Sequence, residues 1–134
     1  MKIFTFPKSE HLCLRSDIEA LFAAPTKSAA VYPLRAVGRV VAFTPKDKKA
    51  RVKVLLSVPK RKLRHAVDRN RAKRQLREAY RTRKFLLENA LPEGKGLHLA
   101  FLWLADKPIP SQRVDESMRR LLMQFSESLP SLVK

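Results

Sequence analysis

The chain is poor in four things, and each shortage excludes a class of function. It has one cysteine in 134 residues, Cys13. No intramolecular disulfide and no cysteine metal cluster can form, so a reducing, cytoplasmic setting is expected. As a nucleophile Cys13 would need an activating base, and an ordinary, partly buried thiol is expected instead. The three histidines, His11, His65 and His98, lie far apart with no ligand spacing. No zinc site is expected, and each is read as a surface or hydrogen-bonded histidine. There are three glycines, Gly38, Gly94 and Gly96, and no G-x-x-x-x-G-K loop, which excludes nucleotide hydrolysis by that motif. The longest apolar run, Leu99 to Ala105, is far too short to span a bilayer. Met1 to Phe22 has no uninterrupted apolar stretch, so no secretory signal is expected.

What the chain has in excess is positive charge. Twenty-nine Lys and Arg stand against twelve Asp and Glu, a net +17. That imbalance predicts a polyanionic partner, either nucleic acid or an anionic membrane surface. With 45% apolar residues the chain can still build a core, so it is not a disordered basic tail. Its length suits a single domain over 1–134.

Residues 1–15 read as an irregular arm. Ser16-Asp17-Ile18-Glu19 has the form of a capping box opening a short helix, with Ile18, Leu21 and Phe22 as its apolar stripe. The helix is expected to stop before Pro25. Leu34 to Phe43 reads as a strand, with Leu34, Ala36 and Gly38 on one face and Arg35, Val37 and Arg39 on the other. After the polar loop Thr44 to Lys49, Arg51 to Val58 reads as a strand pairing antiparallel with it across a hairpin. Val52, Val54, Leu56 and Val58 share one face, and Lys53 sits on the other. A long helix follows over 68–87, with Asp68 as N-cap. Leu97 to Leu104 suits a central strand buried on both faces. Ser111 is expected to cap a last helix, with Asp115 and Glu116 in its first turn and Val114, Met118, Leu121, Leu122, Phe125 and Leu129 as core. The coarse order is helix, two or three strands, helix, strand, helix; written as α-β-β-β-α-β-α it defines a single-domain α+β fold, a two-layer α/β sandwich.

The charge is concentrated. Lys60 to Lys84 holds twelve basic residues and two acidic ones, Asp68 and Glu78. On a helical wheel Ala72, Leu76, Ala79, Leu86 and Leu87 form one face. Asn70, Lys73, Arg74, Arg77, Arg81 and Lys84 form an adjacent arc with no acid in it. Solvated helical faces usually mix signs, whereas like charges this dense repel unless something neutralises them. The arc therefore predicts polyanion binding, and neutralising about five phosphates would give a log–log salt slope near −4. A membrane helix is disfavoured because the apolar face is alanine-rich and is needed for the core. Arginine forks at a helix N-terminus suit RNA phosphates and bases. No carboxylate pair stands near the basic region, so no catalytic residue is expected in the protein itself.

Ala66-Val67-Asp68-Arg69-Asn70-Arg71-Ala72-Lys73-Arg74-Gln75-Leu76-Arg77 resembles the A-V-x-R-N-R-x-K-R-x-x-R signature of the bacterial ribonuclease P protein family. Leu56-Ser57-Val58-Pro59-Lys60 is similar to that family's strand-ending S-V-x-K. The resemblance implies a ribosomal-protein-like α/β sandwich with a left-handed βαβ crossover. It implies a ribonucleoprotein that removes the 5′ leader of precursor tRNA, whose RNA subunit holds the Mg2+ and performs the hydrolysis. The implied partners are ribonuclease P RNA and precursor tRNA, with no membrane and no small-molecule substrate. Arg69, Asn70, Arg71, Lys73, Arg74 and Arg77, continued by Arg81 of the basic arc, would contact the catalytic RNA. Phe22 would line the leader cleft. Ile18 and Val37 stand where the family often has aromatics, so leader contacts are expected to rest on Phe22, Tyr32, Arg35, Arg39 and Lys53. A structural ribosomal-type RNA-binding protein and a nonspecific DNA-binding protein remain the rival readings.

Overall fold

The computed structural model describes residues 10–44 and 51–132, with side chains through Pro130. Residues 1–9 of the expected arm and nearly all of the Thr44 to Lys49 loop lie outside the described residues. The elements are α1 (Arg15–Ala23), β1 (Lys27–Val31), β2 (Leu34–Ala42), β3 (Val52–Ser57), α2 (Ala66–Arg81), α3 (Phe85–Ala90), β4 (Lys95–Trp103) and α4 (Ser111–Leu132). The four strands form one sheet in the order β1-β2-β4-β3. The expected order of elements holds, with the long second helix divided in two.

β4 is the most apolar strand, and it occupies the middle. It pairs antiparallel with β2, setting Val37 opposite Ala100, and parallel with β3, setting Val54 opposite Leu99. The expected β2–β3 hairpin therefore does not form. The two strands do run in opposite directions, but β4 lies between them, because burying Leu97, Leu99, Ala100, Phe101 and Trp103 on both faces requires a strand on each side. The parallel β3–β4 pair needs a crossover, and α2 and α3 supply it.

The alternation in β2 sorts the sheet into two faces. Leu34 and Ala36 join Val52, Val54, Phe101 and the helices α2, α3 and α4 in the main core. Val37 and Ala100 point the other way and are covered by Leu21 of α1 and by Leu12. Gly38 lies beneath α4, where an added Cβ would stand 2.6 Å from a ring carbon of Phe125.

Several helix ends differ from expectation. The Ser16 capping box does not form. α1 begins at Arg15 with Leu14 as its N-cap and no side-chain cap, and Glu19 pairs with Arg15 instead at 2.9 Å. α2 begins at Ala66 rather than Asp68, with His65 as its N-cap. Asp68 lies inside the first turn, where its charge complements the helix dipole. Ser111 is the first residue of α4, not its cap, and its hydroxyl accepts a hydrogen bond from Gln75 at 2.9 Å. Asp115 and Glu116 lie beyond the first turn and pair with arginines. Asp115 takes a bidentate bond from Arg83 at 2.6 and 2.8 Å, and Glu116 pairs with Arg119 at 2.6 Å.

The helix expected over 68–87 stops at Arg81. The Thr82 hydroxyl bonds back to the carbonyls of Glu78 and Ala79, a local competition that loosens helices. The next two residues are drawn away by distant acids: Arg83 to Asp115, and Lys84 to Glu10. Lys84 is thus removed from the basic arc and buried, as is Glu10, with Nζ–Oε distances of 2.8 and 3.0 Å. This pair secures the end of the arm. Beside it His11 forms a parallel bridge with Val54, and the Leu12 amide donates to the Val54 carbonyl at 2.9 Å.

Removing the carboxylate from a buried ion pair is costly, so Glu10→Gln is expected to lower the urea unfolding free energy by about 3 kcal/mol. The double change Glu10→Leu with Lys84→Met should recover most of it, and an unaltered single variant would contradict the pairing. Gly38→Ala should cost about 1–3 kcal/mol through its clash with Phe125, read in the same denaturation experiment.

Candidate nucleic-acid interface

α2 buries Ala72, Leu76, Ala79 and Tyr80 against the core, which leaves the opposite side to solvent. Asn70, Arg71, Lys73, Arg74 and Arg77 are exposed on it. Among the described residues none of those four cations makes an ion pair. Arg69 and Arg81 behave differently. The Arg69 guanidinium folds back and donates to the carbonyls of Leu63 and Arg64 at 2.9 and 2.8 Å, so it clamps the segment leading into α2. Arg81 pairs with Glu78 at 2.6 Å. Glu78 is therefore engaged by a member of the expected basic arc. Its carboxyl is held below the usual range by the hydrogen bond from Arg81 and by the charges of Arg81 and Arg77.

Other cations are also spent inside the fold. Arg51 donates to the carbonyls of Lys95 at 2.8 Å and Leu91 at 2.9 Å, and also to those of Glu88 and Pro92, tying the end of α3 to the start of β4. Sequence patterning gave no sign of this, because a guanidinium bound to carbonyls has no acidic partner to betray it.

A second basic surface lies on the sheet face that carries α1. Registers place Arg39 opposite His98 and His98 beside Lys53, a row of three basic side chains across β2, β4 and β3. Arg35 lies on the same face and donates to the Ser28 hydroxyl at 3.2 Å. Phe22 of α1 is 44% exposed. Of the five expected leader contacts, Phe22, Arg35, Arg39 and Lys53 are thus on α1 or on the face it covers. Tyr32 is not among them. It sits in the β1–β2 turn toward α4, its carbonyl accepting from the Ser117 hydroxyl at 2.7 Å and its ring 5.5 Å from the Arg113 guanidinium carbon.

His98 is the member of this face that sequence reasoning missed, and only the strand register could have revealed it. It is neither a plain surface residue nor a satisfied one. It is half-buried, and its Nδ1 has no hydrogen-bond partner. Burial depresses its pKa below 6.5; the positive charges of Lys53 and Arg39 add to this, and Asp17 opposes it.

The two basic surfaces meet at the β3 edge. There His11, Leu12 and Cys13 line a groove with Val54, Leu55, Leu56, Lys73 and Arg77. Cys13 is exposed, not partly buried. Among the described residues no group of three or more His, Cys, Asp or Glu could hold a metal ion, and no helix is long and apolar enough to cross a membrane.

An α/β sandwich with an acid-poor cationic helix on one side and a basic strand row on the other is the architecture of a polyanion-docking domain. The chain belongs to the ribonuclease P protein family, whose model matches residues 6–126. It is 37% identical over 129 residues to the ribonuclease P protein component of Porphyromonas gingivalis, covering 96% of this chain and 91% of that one. A Chlorobaculum tepidum component is 46% identical over 87 residues, covering 59% of this chain and 56% of the relative. Its fold matches the Staphylococcus aureus RNase P protein with a TM-score of 0.65 at 18% identity, covering 87% and 95% of the two chains. The match to the Thermotoga maritima RNase P protein has a TM-score of 0.62 at 21% identity, covering 86% and 96%.

Because the unfolded chain protonates His98 at a higher pH than the folded chain does, this ring's contribution to stability is lost as pH falls below 6.5 and through the lowered folded value. In an NMR titration Lys53→Ala should raise the His98 midpoint, and Asp17→Asn should lower it further. Shifts of the opposite sign would show that these charges do not act on the ring.

Proposed function

We propose that this chain is the protein subunit of ribonuclease P, binding the catalytic RNA and the 5′ leader of precursor tRNA in the cytoplasm. The observation that carries this reading is α2, where Arg71, Lys73, Arg74 and Arg77 of the family signature stand exposed and make no ion pair among the described residues. Asn70 adds an amide to the same surface, and Arg69 serves it from beneath by fixing the Leu63–Arg64 backbone. The Mg2+ and the hydrolysis are assigned to the RNA subunit. The protein's part is electrostatic: it screens phosphate repulsion between two RNAs and orients the leader.

The leader is assigned to the α1-side face, with Arg35, Arg39 and Lys53 for phosphates and Phe22 for a base. Aliphatic Ile18 and Val37 offer no π face, so stacking there rests on Phe22. The rival, a structural ribosomal-type protein, would bind RNA without changing cleavage.

Cleavage of precursor tRNA by a bacterial ribonuclease P RNA at low magnesium is expected to be faster with the protein than without it. Equal rates would overturn the proposal. Arg71→Glu with Arg74→Glu should abolish the stimulation without altering the unfolding midpoint, since both side chains are exposed. With four unpaired helix cations the log–log salt slope of RNA-subunit binding attributable to α2 should be about −3, less steep than five contacts would give.

A further inference from the structure

One end of the sheet gathers features that the assignments above leave unused. β2 begins there, and β3 and β4 finish there, since Leu34 is opposite Trp103 and Ser57 is beside Leu102. The β1–β2 turn, the segment from β3 into α2 and the segment from β4 into α4 therefore converge. The Leu104 amide donates to the Pro33 carbonyl at 2.8 Å, and Arg61, Arg64 and His65 share a groove with Asp106 and Pro108. Lys60, Arg61, Arg64, Lys107 and Arg113 are all exposed in these segments.

Tyr32 stands at this end. It is 46% exposed, the largest exposed aromatic there, and its hydroxyl makes no hydrogen bond among the described residues. The Ser117 hydroxyl fixes the backbone beneath it. The Arg113 guanidinium lies over the ring at 5.5 Å and has no acidic partner among the described residues. A surface cation–π contact of this kind adds little to stability, so packing alone does not account for an open tyrosine beside an unpaired arginine. An aromatic face next to a cation is what an unpaired nucleotide needs: the ring stacks on the base and the guanidinium meets the phosphate. The Arg69-Asn70-Arg71 start of α2 leaves from the same end, so an RNA seated on it meets Arg61 and Arg64 next.

We infer that the β1–β2 turn and the first turn of α4 form a nucleotide-stacking site for single-stranded RNA, with one base on Tyr32 and its phosphate at Arg113. This site rests on the RNA-binding reading of α2. It is separate from the leader face, because Tyr32 and Arg113 lie toward α4 and Arg35, Arg39 and Lys53 lie on the other side of the sheet.

The test measures binding of the full chain to ribonuclease P RNA alone and to precursor tRNA alone, which identifies the RNA that supplies the base. With one of them Tyr32→Ala should weaken affinity about five- to a hundred-fold, and Tyr32→Phe should stay within about two-fold, since the ring suffices for stacking. Arg113→Gln should weaken the same complex and reduce its salt slope by about one. A photo-crosslinking benzoylphenylalanine at position 32 should capture that RNA. Unchanged affinity in Tyr32→Ala and Arg113→Gln with both RNAs, while Arg71→Glu with Arg74→Glu still abolishes binding, would overturn the stacking site and leave the α2 reading intact. If the charge reversal is also without effect, both fail. A Tyr32→Phe variant as weak as Tyr32→Ala would overturn stacking as the cause. Should Tyr32→Ala unfold the chain, the Phe and Gln variants and the crosslink decide alone.

Discussion

Everything in this molecule is placed by β4. Its backbone is hydrogen-bonded on both edges and its side chains are buried on both faces, and a one-residue slip would move Leu97, Leu99 and Phe101 out of the main core onto the face that α1 covers. The parallel partnership with β3 then demands a crossover, and the crossover is the cationic helix. The antiparallel partnership with β2 fixes which arginines face α1. The two basic surfaces are thus consequences of one strand's burial rather than independent inventions.

Within that frame the cations divide by task. Arg51, Arg69, Arg83 and Lys84 are satisfied by carbonyls or carboxylates of the same chain and hold segments together. Arg71, Lys73, Arg74 and Arg77 make no ion pair among the described residues and stand together on one helix. A protein with so large an excess of positive charge carries self-repulsion that a bound polyanion relieves. The cost of the unpaired set is tolerable because the paired set lies at the joints, where charge repulsion would otherwise open the fold.

Much of the fold was legible in the sequence because period and apolarity are local signals. The two faces of β2, the two-sided burial of β4 and the core stripe of α4 were all readable from side-chain alternation or helical spacing. The order of strands was not, because adjacency in the sheet depends on which strand most needs two neighbours, and a short polar loop resembles a hairpin whether or not one forms. The end of α2 was missed for a related reason. Its wheel continues smoothly through Lys84, and beyond the local competition of the Thr82 hydroxyl it is the distant Glu10 and Asp115 that draw the chain off the helix. In the candidate site, the exposed cations of α2 and the outward Arg35, Arg39 and Lys53 could be read in advance. His98 and the true surroundings of Tyr32 depend on register and on contacts across the fold, which no local pattern encodes.

The central place of β4 also governs when the fold can exist. A chain emerging from its N-terminus completes β2 and β3 well before the strand that joins them. Among the described residues, the sheet available until residue 103 has been made is the β1–β2 hairpin, with an open inner edge, while β3 has just the single bridge from His11. The basic segment and α2 lie in that interval, so the nascent chain presents its strongest charge while its sheet is incomplete. Closure is one late, long-range event, and contacts of that separation in sequence are slow to form. Mutual repulsion between such strongly charged unfinished chains opposes their pairing through the open edges, a second use for the charge that the proposed function assigns to RNA.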